Sequence, residues 1–174
     1  MIKWGVLSSA NIAIEQVIPA ILESKNSIIS GIASRDLQKA KNIARRFGIQ
    51  EFFGSYTDLL NFKKIDAIYI PLPTSQHVEW SIKSLRAKKH VLCEKPIALN
   101  RKDIDKIISE RKKSKKIFSE AFMVYYHPQW KKVKELILSG KIGDLRHVQG
   151  CFTYFNIDPK NMRNILELGG GVLP

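Results

Sequence analysis

Cysteine is nearly absent: the 174 residues contain two, Cys93 and Cys151. They lie far apart and make no CxxC spacing, so neither a structural disulfide nor a zinc site is expected, and a reducing, cytoplasmic compartment is. Long apolar runs are missing too, which predicts no membrane span and no membrane partner. The amino terminus, Met1-Ile2-Lys3-Trp4-Gly5, leads directly into a strand pattern and lacks the layout of a signal peptide. Acidic residues are few: 16 Asp and Glu stand against 29 Lys and Arg, a net charge of +13. That excess fits a nucleic acid, an anionic cofactor, or neither. The densest basic run, Arg111-Lys112-Lys113-Ser114-Lys115-Lys116, ends a helix pattern, where lysines complement the macrodipole and stay solvated. No aromatics are interleaved with it, so no nucleic-acid partner is expected.

What is present is an alternation of strand and helix signals. Residues 2–7 read as a strand and 11–22 as a helix containing Pro19. Residues 28–33 form a second strand pattern. Asp36 can cap a helix that carries Leu37, Ala40, Ile43, Ala44 and Phe47 on one face and stops at Gly48. A short strand near Phe52-Phe53 and a short helix at 57–60 follow. Residues 66–70 are a strongly apolar buried strand, and Thr74 or Ser75 can cap the helix with Val78, Ile82 and Leu85. Then come a strand at 90–93, a helix from Asn100 and a strand at 117–120. Repeated βαβ units predict a parallel sheet with right-handed crossovers. After Ala121 the pattern changes to a helix at 128–139 and one long alternating strand at 145–155. The fold class is α/β: a Rossmann-type parallel-sheet domain over 1–121, then the start of an incomplete α+β substrate and dimerisation domain over 122–174.

Four segments offer chemistry. Gly5 to Ala13 spans the first strand–helix turn, where backbone amides and a helix start can hold a pyrophosphate. Leu7 occupies the middle position of the G-x-G-x-x-G/A fingerprint, so the match is partial and a plain turn also explains it. The second strand ends in Ala33-Ser34-Arg35-Asp36. Enzymes that select NAD place an acid at this point for the ribose 2′-hydroxyl. Ser34 and Arg35 instead offer a hydroxyl and a guanidinium, which suit the 2′-phosphate of NADP, while Asp36 is better placed as a cap. A surface arginine without a ligand is the plainer alternative. Pro71-Leu72-Pro73-Thr74-Ser75-Gln76-His77 follows the next apolar strand, and its two prolines force an extended path that can wall a cleft. Lastly, Cys93-Glu94-Lys95-Pro96 closes a strand with a Glu-Lys pair pinned by proline. Alone it fits a surface salt bridge. At the carboxyl end of a parallel strand, a fixed lysine can meet a cofactor and a substrate.

In this order, and with Glu120-Ala121-Phe122-Met123, His127-Pro128-Gln129, Ile142-Gly143-Asp144-Leu145, Asn161-Met162-Arg163-Asn164 and Gly169-Gly170-Gly171, these pieces resemble the glucose–fructose oxidoreductase / inositol dehydrogenase (Gfo/Idh/MocA) family. The branch most like it holds dimeric dihydrodiol dehydrogenases and NADP-dependent xylose dehydrogenases. The resemblance runs from Trp4 to Leu173 and implies hydride transfer between a nicotinamide cofactor, NADP or else NAD, and a sugar, polyol or dihydrodiol hydroxyl. It implies that Lys95 is catalytic and that Glu94 and Lys95 border the nicotinamide. It places Ser8, Ser9, Ala10, Asn11 and Ile12 at the pyrophosphate and Ser34 and Arg35 at the adenosine phosphate. Pro71, Leu72, Pro73, Thr74 and His77 would lie along the middle of the cofactor, with Met162 and Arg163 nearby. No metal is implied, and a homo-oligomer is expected of the full-length form. The chain departs from the family at Thr74, where Asn is usual, and at Tyr125, where close relatives carry Arg. The family continues past its triple glycine with an Asp-x-Gly-x-Tyr/His element and most of a substrate sheet. The 174 residues are therefore expected to be a truncated form, with a non-catalytic dinucleotide-binding remnant or regulatory module as the alternative function.

Overall fold

The computed structural model describes residues 1–153, 155–161 and 164–168. Six strands form one all-parallel sheet: β1 (Ile2–Leu7), β2 (Ser27–Ala33), β3 (Glu51–Phe53), β4 (Ala67–Ile70), β5 (His90–Glu94) and β6 (Phe118–Ala121). Their order is β3-β2-β1-β4-β5-β6. The chain winds outward from β1 to β3, returns to the centre at β4, and winds outward again to β6. The reversal between β1 and β4 opens a crevice at the carboxyl ends of these two strands, the usual ligand position in such sheets.

Six helices connect or follow the strands: α1 (Ile18–Glu23), α2 (Leu37–Phe47), α3 (Tyr56–Asn61), α4 (Thr74–Arg86), α5 (Arg101–Ser114) and α6 (Pro128–Leu138). Local chemistry sets most of their ends. The Asp36 carboxylate accepts from the amides of Gln38 and Lys39 at 2.9 and 3.1 Å, and Gly48 closes α2 at φ 67°. The Ser55 hydroxyl caps α3, and the Asn100 side chain caps α5. At α4 the expectation of a Thr74 or Ser75 cap is not met. Pro73 holds the cap position, and Thr74 is the first helical residue. The first helix also differs from its pattern: residues Ala13–Val17 bond at the wider i→i+5 spacing before α1 begins. The amide of Ile18 reaches back to the carbonyl of Ala13, and the next residue, Pro19, has no amide to give.

Both faces of the sheet carry a buried core. Leu7, Leu59, Ile68, Ile70, Leu85 and Ile107 meet on one, and Val6, Ile18, Ile32, Ile43 and Tyr69 on the other. Gly5 is fixed by packing. A Cβ there would lie 2.9 Å from Ile65 Cδ1, 3.0 Å from Ile68 Cδ1 and 3.1 Å from Leu59 Cδ2. Three buried side chains would have to move together. Gly5→Val should therefore cost about 1–3 kcal/mol in a urea titration, and a loss below about 0.5 kcal/mol would show that the site relaxes freely.

At the opposite end of the sheet, the Ile117 amide donates to Nδ1 of His90 at 3.0 Å. Burial, and next the Lys116 charge, hold His90 below the usual histidine value, against the opposing pull of Asp66. The folded chain thus binds fewer protons than the unfolded one once the pH drops under about 6.5. This contribution is complete above that pH and is lost as pH falls through the lowered folded value. Urea midpoints should decline as the pH falls below about 6.5. The decline should be shallower in His90→Phe, and equal slopes would remove His90 as the cause.

Beyond Ala121 the structure departs from the sequence pattern. The alternating segment 145–155 makes no strand among its described residues. Its alternation is intact, but a strand needs a neighbour to take its backbone hydrogen bonds, and the described residues of this segment do not join the six-stranded sheet. Val148 and Phe155 are accordingly 75% and 85% exposed. A single turn at Met123–Tyr126, which carries no periodic signal, links β6 to α6. Among the described residues no helix is long and apolar enough to cross a membrane, and no His, Cys, Asp and Glu cluster could hold a metal ion.

Candidate cofactor cleft and the Glu-Lys-Pro loop

A cleft of about 310 Å³ lies at the sheet's reversal point. Three loops wall it: Ser8 to Ala10 after β1, Ser34 to Asp36 after β2, and Pro71 to Pro73 after β4. The first loop is held in a conformation that glycine would favour. Ser8 has φ 105°, and neighbours over-determine it. Its amide donates to the Ala33 carbonyl at 2.8 Å, its hydroxyl to the Pro71 carbonyl at 3.4 Å, and the Ala10 amide donates to its Oγ at 3.2 Å. Ser8 therefore ties all three walls together. Asn11 and Ile12 open the helix immediately behind the loop.

The second wall carries the charge. Ser34 is buried, and its Oγ accepts from the Asp36 amide at 3.2 Å. Asp36 spends its carboxylate on the amides at the start of α2, as the sequence implied. Arg35 sits close enough to the Tyr56 hydroxyl to oppose the upward push that burial gives that phenol. Lys39 lines the same cleft from the first turn of α2. Lys39 and Tyr56 escaped the sequence reading. Lys39 follows the cap by three residues, and that spacing brings its side chain back to the cap. Tyr56 gave no signal; it is set by an edge-on contact with Trp80 at 5.0 Å between ring centres.

The Glu-Lys-Pro loop lies one strand further along, after β5. Lys95 is half-buried, and the Lys95-Pro96 peptide is cis. The Tyr69 hydroxyl donates to Glu94 Oε1 at 2.7 Å. Burial first, and Glu94 second, push that phenol far above its ordinary value. The Ile97 amide donates to Glu120 Oε1 at 3.2 Å. Cys93, directly before this loop, is buried, and desolvation pushes its thiol up to about 12, which removes it as a nucleophile at neutral pH.

Thr74 and His77 stand in the first turn of α4. Both are buried in α4 and do not line the cleft. His77 is 1% exposed, and its ring nitrogens sit 2.7 Å from the carbonyls of Leu72 and Pro96. Met162, Arg163 and Gly169-Gly170-Gly171 lie outside the described residues.

The sequence model of an oxidoreductase family with an NAD-binding Rossmann fold, Gfo/Idh/MocA, matches residues 2–122. The chain belongs to the Gfo/Idh/MocA family. An uncharacterized oxidoreductase of Rhizobium meliloti is 43% identical over 173 residues, covering 99% of this chain and 52% of the relative. A trans-1,2-dihydrobenzene-1,2-diol dehydrogenase of Xenopus tropicalis is 31% identical over 174 residues, covering 98% and 52%. Among solved structures, a 3-ketoreductase mutant from Actinomadura kijaniata in complex with TDP-benzene and NADP superimposes with a TM-score of 0.79 at 36% identity. That match covers 83% of this chain and 44% of the other. The chain thus spans about half the length of the curated relatives it matches. The parallel sheet and the Rossmann class expected from the sequence are those of the family's cofactor-binding domain.

Proposed function

We propose that residues 1–121 form an NADP-binding unit and that the segment from 122 onward begins a substrate and dimerisation domain. The protein's reaction is hydride transfer between NADP and a carbon–oxygen bond of a sugar, polyol or dihydrodiol. The observation that carries the cofactor choice is the second wall of the cleft. Arg35, Lys39 and Ser34 line it, while the only acid there, Asp36, is spent as a helix cap. A 2′-phosphate would find two cations and a hydroxyl, and a bare ribose would find no free carboxylate. The Ser8 loop and the start of the first helix would take the pyrophosphate. When bound, the cofactor supplies or accepts the hydride. Lys95 holds the substrate oxygen and stabilises its alkoxide character. The substrate class rests on the diol dehydrogenase and the ketoreductase among the relatives. The protein is read as a cytoplasmic homo-oligomer with no nucleic-acid, membrane or metal partner.

Calorimetric titration of the chain with NADP and NAD tests this reading. NADP should bind at least about tenfold more tightly, the worth of one added charged hydrogen bond. Equal affinities, or tighter NAD, would overturn the choice. Absence of binding by either would overturn the cofactor site itself.

A further inference from the structure

Glu94, Pro96 and Ile97, the residues around Lys95, are each tied to another element of the domain. Tyr69 of β4 donates to Glu94 at 2.7 Å, the His77 ring of α4 lies 2.7 Å from the Pro96 carbonyl, and the Ile97 amide reaches Glu120 of β6 at 3.2 Å. Among the described residues Lys95 itself has no ion-pair partner. The two ties from β4 and α4 come from fully enclosed side chains. Tyr69 is 0% exposed in an otherwise apolar strand, Ala67-Ile68-Tyr69-Ile70, and packs among Val6, Ala13 and Ile18. Phenylalanine would fill that space without a hydroxyl to desolvate. A buried hydroxyl or imidazole is costly unless bonded, so an apolar residue suffices where only packing is needed. His77, likewise enclosed, bridges the Leu72 carbonyl on the cleft wall and the Pro96 carbonyl beside Lys95. It joins the loop that lines the cleft to the loop that carries the lysine.

We infer that Tyr69 and His77 are positioning residues: they set Lys95 against the cofactor cleft, by fixing the residue before it and the residue after it. The inference rests on the reading of Lys95 as the group that meets the bound cofactor. It makes His77 a link between cofactor occupancy and lysine placement, not a cofactor ligand.

The test is amine labelling of Lys95 in the 174-residue chain, read by mass spectrometry with and without saturating NADP. In the parent chain NADP should slow labelling of Lys95 by about tenfold, as expected when a lysine gains one good contact. Tyr69→Phe and His77→Leu should cut that protection to about twofold, while NADP affinity stays within about threefold and the melting midpoint is retained. His77→Gln, which can still donate to a carbonyl, should recover part of it. A purely structural role would lower affinity or stability and leave protection at saturation intact. Full protection in Tyr69→Phe and in both His77 variants would overturn the inference. If His77→Leu does not fold, Tyr69→Phe and His77→Gln decide alone. NADP binding without protection of Lys95 in the parent chain is a separate outcome, and it would remove the parent reading of Lys95 instead.

Discussion

Replacing Arg35 with alanine should weaken NADP by about 10- to 100-fold and change NAD by no more than about threefold. A hydrogen bond to a charged group contributes roughly 1.5–3 kcal/mol, and removing the guanidinium leaves the phosphate with Lys39 and Ser34 alone. The adenine, pyrophosphate and nicotinamide ends of the two cofactors are identical, so the loss should fall on the molecule that carries the extra phosphate. Lys39→Ala should show the same selectivity with a smaller effect, because an ammonium on a flexible stem makes a point contact where a guanidinium makes a fork. The double variant should approach the affinity of NAD. Salt gives an independent check: NADP binding should weaken with ionic strength more steeply than NAD binding in the parent chain. Equal losses for both cofactors on Arg35→Ala would mean that Arg35 supports the cleft through Tyr56, whose hydroxyl it neighbours, and does not read the phosphate.

The sequence made the sheet legible because its signals are local and repeated. Six apolar runs alternate with helix patterns, a cap stands at Asp36, and Gly48 marks a stop. The segment Ala33-Ser34-Arg35-Asp36 was legible for the same reason, since a strand end and a cap fix where its side chains stand. Features that depend on neighbours distant in sequence were not legible. Ser8 carries the positive φ, one residue after the position where the fingerprint has glycine, and its conformation is enforced by Ala33 and Pro71. Lys88 and Lys89 look alike as a solvated pair. Yet Lys89 is buried and donates to the Ile65 and Phe62 carbonyls at 2.6 and 3.2 Å. The burial of His77 gave no local signal. Its place is decided by Pro96, 19 residues away. The segment 145–155 failed for the opposite reason. Its alternation is a sound local signal, but pairing is a property of two segments, and one alone cannot satisfy its backbone.

Lys95→Ala should lower turnover by about 100-fold or more, with NADP affinity within about threefold. The split between the two quantities is the substance of the prediction. A cation that orients a carbon–oxygen bond contributes most when charge builds on that oxygen, so its removal raises the barrier and spares binding of the distant adenosine phosphate. The structure supports this division in space. The wall that carries Arg35 is at the end of β2 and the lysine at the end of β5, with β1 and β4 between them in the sheet. Lys95→Arg keeps the charge but changes its shape and reach, and should recover little activity if the contact is a single point of donation. The assay is NADPH oxidation with a keto sugar and, in reverse, NADP reduction with a dihydrodiol. Turnover of Lys95→Ala within about threefold of the parent, in both directions, would leave Lys95 as the occupant of a well-held loop and move the search for the catalytic cation elsewhere.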